Sequence, residues 1–136
     1  MNSLIVYHSG PLKNTEKIAI ALAESLHAQL RAVAEVLPAD CARADVIGLG
    51  AGIHFWRHHR AILECSERLA LSGKKVFIFS TGGWGFGWLK HAALRRRLAR
   101  KSARIIGEFT CAGRPDARGQ QAARAFALKL EKSLVK

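Results

Sequence analysis

Four short stretches hold most of the residues that could do chemistry: HSGPLKN (8–14), AGIHFWRHH (51–59), TGGWGFGW (81–88) and AGRPDAR (112–118). The first runs from an apolar segment through Gly-Pro into Asn14 and Thr15, where a helical pattern begins. Hydroxyl and glycine residues ahead of unpaired helix N–H groups are the ingredients of an anion site. The plainer reading is a structural turn in which Asn14 or Thr15 supplies the cap oxygen. The second and third stretches carry all three tryptophans, Trp56, Trp84 and Trp88. A loop tryptophan serves either as a stacking platform or as a plug folded back on the core.

Other chemistries have less support. His54 and His58 stand four apart, with His59 beside them, but zinc needs a third and fourth ligand and only Glu64 is near. A basic, solvated helix start is expected there, and no metal. Ser9, Ser80 and Cys41, Cys65 and Cys111 lack a nucleophile elbow or a catalytic-cysteine context, so no catalytic residue is assigned. No G-x-G-x-x-G follows the first strand, which argues against a nicotinamide site. LRRRLARKSAR (94–104) gathers Arg95, Arg96, Arg97, Arg100, Lys101 and Arg104 near one helix. It reads as a solvated face with Leu94 and Leu98 turned inward, or as a docking surface for an acidic protein or a membrane. Without interleaved aromatics or a reader motif, nucleic acid is not expected.

The elements that must position these residues alternate along the chain. Strands are predicted at 3–7, 31–37 (stopped by Pro38), 45–50, 74–80 and 104–111. Helices are predicted from Asn14, over 57–71 and 88–101, and from about Gly119, with a single helical turn between strands two and three. Such alternation builds a parallel sheet covered on both faces, within a single domain spanning 1–136. The four stretches then share the carboxyl edge of that sheet, where ligands bind. No apolar run is long enough to span a bilayer, and MNSLIVY lacks a basic leader, so a cytoplasmic protein is expected. Three scattered cysteines read as reduced thiols.

IVYHSGPLKNTEKIA (5–19), ADVIGLGAGIHFWRHHRAIL (44–63), KKVFIFSTGG (74–83) and GEFTCAGRPD (107–116) resemble, in order and spacing, the corresponding segments of flavodoxins, short-chain type. The resemblance implies a five-stranded parallel sheet of order 2-1-3-4-5, a flavodoxin-like three-layer sandwich, with FMN at its carboxyl edge. It implies phosphate binding by Ser9, Gly10, Asn14 and Thr15, with Lys13 replacing hydrogen bonds that the family obtains elsewhere. It also places Gly52, His54 and Trp56 in the second loop, where Trp56 is favoured for stacking on the flavin. In the third loop it places Thr81, Gly82, Gly83 and Trp84, with backbone N–H groups near the ring edge.

The function so implied is electron transfer between redox partner proteins. Lys and Arg total 22 against 10 Asp and Glu, a net charge of +12, so partners with acidic surfaces are expected. Two alternatives remain open at this point. One is a flavodoxin-fold oxidoreductase resembling protoporphyrinogen oxidase or a quinone reductase; the other is a binding module that has lost the cofactor, with Leu12, Lys13 and Trp56 as its best evidence.

Overall fold

The structure, a computed structural model, describes residues 1–54, 57–82, 90–112 and 115–134, and the side chains of His54 and Arg57 are not described. Five parallel strands make the sheet: β1 (Ser3–His8), β2 (Gln29–Ala32), β3 (Val46–His54), β5 (Lys75–Thr81) and β6 (Arg104–Cys111). Their order is β2-β1-β3-β5-β6, which is 2-1-3-4-5 when only the parallel strands are counted. A sixth, two-residue strand β4 (Arg57–His58) folds back antiparallel on the end of β3. The helices among the described residues are α1 (Asn14–Leu26), α2 (Pro38–Arg43), α3 (Arg60–Arg68), α4 (Ala92–Arg100) and α5 (Ala117–Leu134).

Each strand sends alternate side chains to opposite faces. Leu4, Val6, Ile47, Leu49, Val76 and Ile78 meet Leu63, Leu94 and Leu98 on the face covered by α3 and α4. Ile5, Val46, Phe77 and Phe79 meet Ile18, Leu22, Ala123 and Ala127 on the face covered by α1 and α5. Two glycines of β3 make room for the largest of these. Gly48 and Gly50 lie opposite Phe77 and Phe79 in register, and a Cβ on either would fall 2.3 Å from the neighbouring ring.

Several element boundaries differ from the sequence expectation. The second strand lies at Gln29–Ala32 rather than 31–37, because turn bonds from Glu35 and Val36 N–H to Ala32 O end it early. Pro38 opens α2 at its first turn, the position where a missing N–H costs nothing. The third strand runs on to His54, past the glycine at which 45–50 was expected to stop, and its hairpin with β4 delays α3 to Arg60. α5 begins at Ala117, ahead of Gly119, since Asp116 Oδ1 accepts the Gly119 N–H at 3.0 Å.

Several cations serve the fold directly. Lys101 Nζ donates to the carbonyls of Ser66 (3.1 Å) and Glu67 (2.7 Å), and to that of Leu69, at the end of α3. Lys74 Nζ does the same for Ala42 (3.2 Å) and Ala44 (2.8 Å) at the end of α2. Carbonyls left over at a helix C-terminus favour a cation by dipole and by hydrogen bond. Lys101→Met is expected to lower the unfolding free energy by about 1–3 kcal/mol in urea denaturation. Arg96→Met, on the exposed side of α4, should change it by less than about 0.5 kcal/mol.

Candidate functional site

At the carboxyl edge, β1 leads into a tight turn in which Lys13 N–H donates to Gly10 O at 2.9 Å. Lys13 takes a left-handed conformation, φ 57°, and occupies the cap position of α1. The sequence expectation of an Asn14 or Thr15 cap is therefore corrected: both sit inside the first turn, and Lys13 makes no side-chain cap bond. Ser9 does that work from a distance, its Oγ accepting the Glu16 N–H at 3.2 Å. The N–H groups of Asn14 and Thr15 have no hydrogen-bond partner among the described residues.

Thr15 is buried and its Oγ1 lies 2.7 Å from Thr81 Oγ1, which comes from the end of β5. Gly52 stands over this pair, with an added Cβ falling 3.9 Å from both hydroxyls. Gly10, Lys13, Thr15, Gly52, Thr81 and Gly82 thus line one cleft of about 370 Å³. Leu12 is 74% exposed, on the rim of the cleft, and does not fill it. Gly82 (φ 79°) supplies a backbone bend that a side chain would strain. Its own N–H is donated to Cys111 O at 3.0 Å, so the expected ring-edge donor at that position is already engaged. Of the other predicted residues, Trp56, Gly83 and Trp84 lie outside the described residues, and His54 is placed only as the last residue of β3.

The histidines correct another expectation. The solvated helix start predicted around His58 and His59 is a buried hairpin and a helix cap. His58 is 1% exposed, its Nε2 lies 2.9 Å from Phe79 O, and its Nδ1 has no partner among the described residues. His59 Nδ1 accepts the Ala61 N–H at 3.0 Å, capping α3, while its ring stacks on His8 at 4.2 Å. Burial, followed by the proximity of His59, lowers the His8 pKa. All three cysteines are free, buried thiols.

A second polar cluster went unrecognised in the sequence. Ser80 Oγ lies 2.7 Å from His91 Nε2 and donates to Thr110 Oγ1 at 2.9 Å, while His91 Nδ1 lies 2.8 Å from Glu108 Oε1. Arg95 Nε donates to the same carboxylate oxygen at 3.1 Å, and the His58 ring is 4.8 Å from that of His91. Ser80 was visible only as an isolated hydroxyl, because its partners come from the start of α4 and from β6, which no local spacing connects to it.

A parallel sheet of this order, helices on both faces and a crevice opening on the start of the first helix define the flavodoxin-like class of α/β proteins. The chain has the flavodoxin-like fold, and it is of one family with an uncharacterized protein. It is 42% identical over 116 residues to the uncharacterized protein MJ0298 of Methanocaldococcus jannaschii, covering 83% of this chain and 76% of that one. A flavodoxin from the domain Archaea superposes with a TM-score of 0.80 at 13% identity, covering 100% of both chains. The two-electron reduced flavodoxin of Megasphaera elsdenii superposes with a TM-score of 0.76 at 28% identity, over 93% of this chain and 98% of that one. No family model matches the chain. Among the described residues, no helix is long and apolar enough to cross a membrane.

Burial, reinforced by the neighbouring His91, lowers the His58 pKa to about 3. Its folded value lies below the unfolded one, so the associated stability is complete above pH 6.5 and is lost as pH falls toward 3. The slope for one proton is at most about 1.4 kcal/mol per pH unit. In denaturation curves taken from pH 7 to 4, His58→Phe is expected to flatten the profile by up to this slope, whatever it does to the baseline.

Proposed function

We propose that this chain binds FMN noncovalently at the carboxyl edge of its sheet and passes electrons between larger redox partners with acidic docking surfaces. One observation carries the reading: the Thr15–Thr81 hydroxyl pair, 2.7 Å apart, meets the unclaimed first-turn N–H groups of α1 in a single cleft beside Lys13. Unpaired N–H groups, the helix dipole, the one hydroxyl proton that the Thr15–Thr81 pair leaves free and an ammonium are a donor set suited to a phosphate dianion. Leu12, exposed on the rim, does not block the seat, and the likeness to flavodoxin structures supports the same ligand.

On this reading Ser9 and Gly10 shape the phosphate turn, with Ser9 holding the Glu16 N–H. Asn14 and Thr15 present their N–H groups, and Lys13 adds positive charge. Gly52 and Gly82 keep the floor free of side chains, while His54, Trp56, Gly83 and Trp84 complete the ring site, with the indoles stacking. The bound flavin supplies one- and two-electron chemistry, and the chain supplies capture, orientation and an electrostatic setting. Arg96 and Arg100, both exposed on α4, are cations available to an acidic partner.

Purified protein is expected to quench FMN fluorescence on titration, and failure of the wild type to do so would overturn the proposal. Thr81→Val should weaken binding about tenfold, the value of one lost hydrogen bond of about 1.4 kcal/mol. A circular-dichroism melt reports whether the fold is kept. The net charge of +12 also sets a redox expectation. The second reduction of bound flavin should occur at a less negative potential than in acidic flavodoxins, and potentiometry should show that gap narrowing as salt is added.

A further inference from the structure

Ser80, His91 and Glu108 form a hydroxyl–imidazole–carboxylate series with heavy-atom separations of 2.7 and 2.8 Å. That order and spacing match an acyl-transfer triad. Access argues otherwise: Ser80 is fully buried, and its hydroxyl is already directed at Thr110. A nucleophile that no substrate can reach does no acyl chemistry. Hydrogen-bond series of this kind can still carry a proton.

The direction of each bond follows from the donors available. Ser80 donates to Thr110 Oγ1 at 2.9 Å, so its oxygen is left to accept from His91 Nε2–H. Glu108 as a carboxylate can only accept, which calls for a proton on His91 Nδ1 as well. The heavy atoms are therefore already arranged for a ring that carries both protons. Releasing one requires only that the Ser80 hydroxyl turn from Thr110 toward Nε2; no heavy atom has to move.

We infer that Ser80, His91, Glu108 and Thr110 form a preorganised proton-loading site, in which His91 takes one proton from water as pH falls and the Ser80 hydroxyl reverses direction. The inference stands apart from the flavin reading, since it concerns the protein alone. The loaded state places a cation behind β5 at Ser80, the residue bonded to Thr81, which lines the cleft on the opposite face. Acidification thus adds positive charge behind the anion seat.

The charged groups around the ring set where loading occurs. Glu108 on β6 favours the proton, while Lys90 and Arg95 beside the ring oppose it, and Arg95 Nη2 has no partner among the described residues. His58 on β4 lies against the ring, and Ser80 and Thr110 are neutral. Further along α4, Arg97 is held by Glu67 of α3 at 3.1 Å. Burial is the largest influence and lowers the His91 pKa, which puts loading on the acid side of 6.5.

The test is a nitrogen-15 NMR titration of the histidine rings in the unliganded protein, with His91 assigned by comparison with His91→Gln. Wild-type His91 is expected to pass from one ring N–H to two as pH falls below 6.5. Glu108→Gln should reduce its proton affinity by about tenfold or more, having removed a charged acceptor, and Thr110→Val by roughly threefold, having removed the terminal neutral one. A ring that stays singly protonated down to the unfolding pH would overturn the inference. So would a midpoint unmoved in Thr110→Val, whose side chain lies at the exposed end of the series and whose fold should survive.

Discussion

The register between β3 and β5 is the constraint on which the other features rest. Phe77 and Phe79 lie across Gly48 and Gly50, where a Cβ would fall within 2.3 Å of each ring. This alignment gives both rings a side-chain-free neighbour. With it set, Gly52 comes opposite Thr81 and Ala51 opposite Ser80. Thr81 then faces α1 and meets Thr15, while Ser80 faces α4 and meets His91. A slip of one residue would exchange the two faces and dissolve both clusters. Packing deep in the sheet thus decides which hydroxyl reaches the cleft.

The cationic excess divides by the same logic of position. Lys101 and Lys74 close the ends of α3 and α2, and Arg68 Nη2 donates to Val33 O at 3.0 Å. Arg95 and Arg97 are bound to Glu108 and Glu67. These cations are consumed by carbonyls and carboxylates of the fold, and their fields are partly cancelled at short range. The basic run 94–104 therefore presents a smaller cationic face than its composition suggests, reduced mainly to Arg96, Arg100 and Arg104, which are exposed. Net charge acts at a distance; individual exposed groups act at contact.

Much of the architecture was legible because strand and helix signals alternate and because buried parallel strands read as apolar runs. The strand at 104–111 and the strand order agree with expectation. The second strand was misplaced because RAVAEVL alternates well, yet its Val36 is buried from a turn rather than from a strand. Of the site, Gly10, Lys13, Asn14, Thr15, Gly52, Thr81 and Gly82 converge on one cleft, since local turn chemistry and sheet topology together place them. What escaped notice depends on long-range pairing. Nothing within a few residues of Ser80 announces an imidazole eleven positions on or a carboxylate on the next strand. A histidine beside two basic residues likewise gave no sign that it would be buried under β5.

The two buried imidazoles belong to one electrostatic arrangement. His58 has its Nε2 against Phe79 O, an acceptor, and an Nδ1 at which an added proton would find no partner among the described residues. His91 has a carboxylate at one nitrogen and a hydroxyl able to turn at the other. Desolvation acts on both, and at 4.8 Å apart a charge on one ring disfavours a charge on the other. Only the ring with acceptors on both sides can accept a proton at modest cost. Desolvation keeps both rings neutral at ordinary pH, so that neither adds to the positive character that Lys13 and the start of α1 give the cleft, on the side that an anion would enter.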